Sequence, residues 1–232
     1  RGADISISMG GENTLQAWYL DLSTIAPVQA EGFIGSVAHG APVNFRNVAF
    51  NPHAHITHTE CMGHIDKSIH SVNTHLKSPF HVAQVITVLP EQNEADKVIT
   101  LVQLKAQFES APPKAVVLRT LPNLDDKCRT NYSHTNPTYL HHTAALWLRE
   151  QGVEHLLIDT PSVDREEDNG ELKAHKAFWN YPHLDRLHCT ITEFVFVPDS
   201  VPDGLYFLNL QTAPFENDAT PSRPVLHYMT KQ

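Results

Sequence analysis

The chain has 232 residues, 41% hydrophobic and 19% charged, and a formal net charge of −9. The acidic balance argues against nucleic acid or an anionic membrane as partner, and no apolar run is long enough to span a bilayer. Three widely spaced cysteines, Cys61, Cys128 and Cys189, make no disulfide framework, and "RGADISISMGGENTLQ" lacks the apolar stretch of a signal peptide, so a cytoplasmic location is expected.

The first predicted strand is "AWYLDLST" (17–24), stopping at Pro27. "APVNFRNVAF" (41–50) alternates weakly until Pro52 interrupts it. "QVITVLPE" (84–91) is a β-branched run ended by Pro90. "DKVITLVQLKAQFES" starts as a strand; from Thr100, a candidate N-cap, Leu101, Leu104 and Phe108 take helical spacing. "KAVVLRT" (114–120) reads as a buried strand. "HTAALWLREQG" (142–152) reads as a helix with Gly152 at C′, and "VEHLLIDTPSVD" (153–164) as the buried strand that follows. "HCTITEFVFVPDS" (188–200) and "GLYFLNLQT" (204–212) are two more strands separated by the turn signal "PDSVPDG". "PVLHYM" (224–229) is the last. The sum is a strand-rich α/β chain with a few helices. Without internal repeats or a low-complexity linker, a single domain over 1–232 is expected.

Residues 53–81 hold seven of the 16 histidines: His53, His55, His58, His64, His70, His75 and His81. Histidine is the commonest metal ligand and titrates nearest neutral pH. In an extended segment His58 and Glu60 project to one side, while Thr59 and Cys61 project to the other. Gly63 permits a bend that could return His64 to the same place. Two imidazoles and a carboxylate suit Zn²⁺ or Mn²⁺. A polar loop with exposed histidines is the plainer reading of H-x-E-x-x-x-H alone; the local histidine excess brings a metal site level with it. Ser162 lacks a G-x-S-x-G elbow, and Cys61 faces away, so neither is expected to be a nucleophile. Asp159 and Asp164 read as turn hydrogen bonders. His70, His75 and His81 read as surface or supporting groups, and "PFENDATPSRP" (214–224) as a segment shaping a pocket or an oligomer contact.

"THTECMGH" resembles the metal-binding signature H-x-G-T-H-x-D-x-P-x-H of the cyclase-like hydrolases, which include kynurenine formamidase, isatin hydrolase and polyketide cyclases. "LDLST", "GVEHLLIDTPSVD", "AHKAFW" and "TITEFVFV" resemble further segments of that family, in order, over residues 18–229. The resemblance implies a single-domain cyclase-like (swivelling β/α/β) fold. It also implies a binuclear site, usually zinc and sometimes manganese. Carried over, His58, Glu60, His175 and Glu193 are metal ligands and His64 is the general acid/base, with His183 the alternative to His175. The family's first histidine falls at Ala54. His53 is the choice for that role and His55 the alternative, and both have the wrong strand parity, so a bulge or loop at Pro52 is needed. Leu20, with Trp18 nearby, stands where the family has a pocket aromatic, against an aryl-formamide.

The expected activity is metal-dependent hydrolysis of a C–N bond in a small amide, formamide or lactam. The alternatives are a metal-binding module without turnover, and a cyclase or dehydratase on a polyketide-like substrate. The expected partners are a small-molecule substrate and a second copy or more of the chain, as a homodimer or homotetramer.

Overall fold

Eight strands build the frame of the computed structural model, which describes residues 2–11 and 14–229. They are β1 (Gly2–Asp4), β2 (His58–Glu60), β3 (Phe80–Val88), β4 (Ala115–Thr120), β5 (His155–Ile158), β6 (Thr190–Glu193), β7 (Gly204–Thr212) and β8 (Ala219–Tyr228). The order is β1-β8-β7-β3-β4-β5-β6-β2, and β2 also pairs with β8. That extra pairing closes seven strands into a barrel, with β1 on the free half of β8. β3, β4, β5 and β6 run parallel. Closure leaves those seven strands without a free edge.

Both faces of β4, β5 and β6 are buried, which is why β4 and β5 read as near-continuous apolar runs rather than alternating ones. All six residues of β4 are buried. Inside the barrel Val85, Val117, Leu157, Tyr206, Leu208 and Leu226 pack together. Outside, Ile86, Val116, Leu118, Leu156 and Ile191 meet the helical layer.

Among the described residues the α-helices are α1 (Pro52–His55), α2 (Val72–His75), α3 (Leu101–Ala106), α4 (His142–Glu150) and α5 (Lys173–Trp179), all short. Thr100 caps α3 in a full capping box with Gln103. α4 buries Ala144, Ala145 and Leu148 and ends at Gly152, whose φ of 83° suits glycine at C′.

Three expectations are corrected. Residues 17–23 are not a strand: Trp18 and Tyr19 turn the chain at φ 59° and 61°, and extended pairing begins at Thr24. The last strand starts at Ala219, not Pro224, and β8 runs through Pro221 and Pro224. The strand expected over 188–200 is confined to Thr190–Glu193, and "PDSVPDG" turns the chain between β6 and β7 as read.

Between residues 24 and 49 the chain leaves the barrel. Thr24–Pro27 pairs with Arg46–Ala49, and Gln29–Ala30 with Phe33–Ile34. This excursion exposes Ile25, Ile34, Val43, Phe45 and Val48.

Candidate metal centre

The site forms where β2 lies against β6. Their register sets Glu193 opposite His58 and Ile191 opposite Glu60. Alternation therefore turns His58, Glu60 and Glu193 to the outer face, while Thr59 and Thr192 share a 2.8 Å hydrogen bond on the inner one. A slip of one residue would exchange the two sets. α5 brings His175, with Nε2 3.0 Å from Glu60 Oε1 and 3.8 Å from Glu193 Oε1. His58 Nε2 lies 3.4 Å from Glu193 Oε2.

Strand parity does not apply to the first histidine, because it stands on a helical turn. Asn51 accepts from His53 N and so caps α1, with Pro52 next. At 3.6 residues per turn, His53 and His55 point to opposite sides. His53 Nδ1 lies 3.3 Å from Glu60 Oε2 and its Nε2 3.0 Å from Asp218 Oδ2. His55 turns away: its Nδ1 accepts from Asn51 N and its Nε2 donates to the Asp21 carbonyl. The Trp18 indole donates to the His53 carbonyl at 2.9 Å, supporting the turn.

His64 arrives through the tight turn Met62–His64. Gly63 serves there through close approach rather than an unusual φ: a Cβ would lie 2.3 Å from the His70 carbonyl oxygen. His64 Nδ1 is 3.3 Å from Asp218 Oδ2 and 3.8 Å from Glu60 Oε2, and its ring lies 4.4 Å from that of His53. His183 is exposed in the loop after α5 and does not join the group. His70 pairs with Asp66, and His81 lies against His155.

The chemistry of this donor set fits a cation. Each of three histidines has one nitrogen anchored by an acceptor: His53 Nε2 by Asp218, His58 Nδ1 by the Ile56 carbonyl, and His175 Nδ1 by Asp164 at 2.6 Å. The opposite nitrogen of each faces Glu60 or Glu193, the arrangement that outer carboxylates and carbonyls impose on metal-bound imidazoles. His58 Nε2 and Glu60 Oε2 are buried without a hydrogen-bond partner, a costly state that a shared ion relieves. His53, His58 and Glu60 offer ligand atoms within 4.8 Å of one another, as do Glu60, His64 and His175.

Charge points the same way. Burial opposes ionisation of Glu60, but His64 and His175 outweigh it and hold the carboxyl well below its ordinary range. Burial likewise pushes the His53 imidazole down, yet Asp218 and Glu60 prevail and raise it to about 10. His175 is raised in the same manner by Asp164 and Glu60. Protons thus balance the carboxylates where a divalent ion could, and ion uptake would expel them.

Two site residues were not legible as such. Asp164 was expected to make turn hydrogen bonds; instead it accepts from Ala174 N, His175 N and His175 Nδ1, capping α5 and orienting its histidine. Asp159, expected likewise, accepts from Thr120 N and Oγ1 and pairs with Lys127 at 2.6 Å. Asp218 falls inside the segment 214–224, which the sequence marks as shaping a pocket or an oligomer contact. Its only sequence signal is an acidic residue just ahead of a strand.

The Cyclase family model matches residues 3–165. No curated protein matches the chain. Among solved structures, isatin hydrolase A from Labrenzia aggregata bound to benzyl benzoate superposes with a TM-score of 0.70 at 15% identity, over 97% of this chain and 93% of that one. A predicted metal-dependent hydrolase from Bacillus stearothermophilus gives 0.67 at 14%, over 97% of each chain. A potential metal-dependent hydrolase with cyclase activity gives 0.69 at 14%, over 97% and 96%. At these identities the likeness shows the fold, as expected from the sequence.

Proposed function

The chain belongs to the Cyclase family, and on that premise we propose that it is a metal-dependent hydrolase cleaving a C–N bond of a small amide, formamide or lactam. The observation that carries this reading is that His58 Nε2 and Glu60 Oε2 are buried without a well-formed hydrogen bond, in contact only with Glu193 and with His53 and His64, among imidazoles anchored from behind. His53, His58, Glu60, His175 and Glu193 would hold zinc or manganese. A bound ion would supply a Lewis acid that lowers the pKa of its water to about 7. His64, at the solvent-facing edge, passes a proton to the leaving nitrogen. Asp164 and Asp218 keep His175 and His53 in the ligating tautomer.

The reading of a metal-binding module without turnover drew on the displaced first histidine. His53 beside Glu60 supports an intact ligand set, so the displaced position no longer favours that module over the hydrolase.

The test has two stages. Elemental analysis of the purified protein should find zinc or manganese. Glu60→Gln should then weaken retention by more than the ~10–100-fold that losing an outer partner costs. Next, N-formyl arylamines, lactams and aryl esters are assayed with and without chelator. A metal-replete protein inert toward all of them refutes the hydrolase.

The assembly is a homodimer or homotetramer. The chain exposes 11990 Å², whereas a compact monomer of 26.0 kDa exposes roughly 10,500 Å². Ile25, Ile34, Val43, Phe45 and Val48 of the excursion at 24–49 are exposed apolar residues of the kind an oligomer contact covers. Light scattering coupled to gel filtration should give two or four chain masses; a monomer at micromolar concentration excludes this assembly.

A further inference from the structure

Asp218 stands out because one oxygen serves two histidines of different roles. Its Oδ2 lies 3.0 Å from His53 Nε2 and 3.3 Å from His64 Nδ1. The two rings lie 4.4 Å apart at 31°, so a single carboxylate reaches both edges.

Its placement is fixed by backbone, not by a flexible loop. The Asp218 carbonyl accepts from Cys61 N, directly between Glu60 and the turn that carries His64. The neighbouring Asn217 carbonyl accepts from Val72 N, and the Asn217 side chain donates to the Ala219 carbonyl. Asp218 therefore enters the site in register with β2, and supports of this kind hold a functional group in place.

A carboxylate only accepts hydrogen bonds, so each histidine must present an N–H to it. With an ion bound, His53 would then keep its proton on Nε2 and turn the Nδ1 lone pair toward the side of Glu60 Oε2. His64 carries its proton on Nδ1, which leaves Nε2 as the nitrogen that can take up or release one. We infer that Asp218 is the positioning residue that sets the tautomers of both the first ligand and the acid/base histidine, tying metal retention to proton transfer through one side chain. This rests on the metal-site reading above. It also accounts for His53 serving from a helical turn: a ligand displaced from the usual strand position is steered by a partner on its far nitrogen.

The experiment uses the full chain loaded with Zn²⁺. Nitrogen-15 spectra of the wild-type histidines should show His53 protonated at Nε2 and His64 at Nδ1; the reverse tautomer at either ring overturns the inference, and no variant is needed to see it. Asp218→Asn should weaken Zn²⁺ binding ~10–100-fold in competition with a chromophoric chelator, since it weakens an outer partner. The same variant should lower kcat more than it changes KM. The Co²⁺-substituted variant should keep the wild-type visible band positions, because no ligand is lost. Altered bands would make Asp218 a direct ligand, and unchanged Zn²⁺ affinity would make it a bystander; each refutes the assignment. A wild type that takes up no Zn²⁺ removes the metal reading and this inference together, whereas a metal-replete wild type with an indifferent variant removes only this one.

Discussion

His64→Ala is expected to lower turnover by ~10²–10⁴, the range of a positioned proton donor, while leaving metal content close to wild type. The geometry distinguishes this residue from the others in the cluster. His58, Glu60 and His175 are buried, whereas the His64 side chain is 30% exposed. Its closest polar contact is Asp218 on the outer side of the site, and Glu60 lies farther off at 3.8 Å. His64 could still reach an ion, since it stands within ligand distance of Glu60 and His175. Two measurements on one variant therefore settle the role: initial rates and bound metal by elemental analysis. Loss of metal along with activity makes His64 a ligand, and retention of both makes it dispensable.

The second large effect lies at the opposite ends of the parallel strands. His155 is 3% exposed at the start of β5. Its Nδ1 bonds Thr190 Oγ1 at 2.9 Å and its ring lies 3.9 Å from that of His81. Burial, then the nearby His81, His188, Lys114 and Arg186, push its pKa down to about 3. In the unfolded chain it titrates at its ordinary 6.5. The unfolded state thus takes up a proton below pH 6.5 that the folded state refuses. Stability is full above 6.5 and falls as the pH drops from there toward 3, at up to ~1.4 kcal/mol per unit. The total is on the order of 4 kcal/mol, a large share of the 5–15 kcal/mol of a typical domain. His53 and His175 act with the opposite sign: their raised pKa values give the metal-free chain stability that is present below 6.5 and lost as the pH rises through about 10 for His53. Comparing wild type with His155→Gln cancels those contributions. Urea unfolding at a series of pH values from 7.5 to 4.5 should show a shallower slope in the variant. Equal slopes would mean that His155 is protonated in the folded chain.

Several elements were legible because their signals are local. α4 carries a helical apolar face ending at Gly152, and β4 and β7 are bounded runs of strand formers. The common direction of His58 and Glu60 follows from alternation alone. Where local rules compete, the reading failed. "AWYLDLST" has strand composition, yet Trp18 and Tyr19 adopt left-handed turns that carry the indole to the His53 carbonyl. "PVLHYM" reads as the last strand, yet β8 starts earlier, at Ala219, and its first residues pair with β2 to close the barrel.

By itself, the order of residues determined that the chain is a strand-rich α/β chain and that an imidazole and a carboxylate share one face of a short strand. Those properties depend on spacings of two to four residues, which any stretch of chain carries with it. Only the tertiary structure decided that His53 rather than His55 turns inward, that Asp164 backs His175, and that Asp218 bonds two histidines 165 and 154 residues away. Such contacts exist only once β2 has paired with both β6 and β8, because barrel closure, not local pattern, brings distant segments within hydrogen-bond reach.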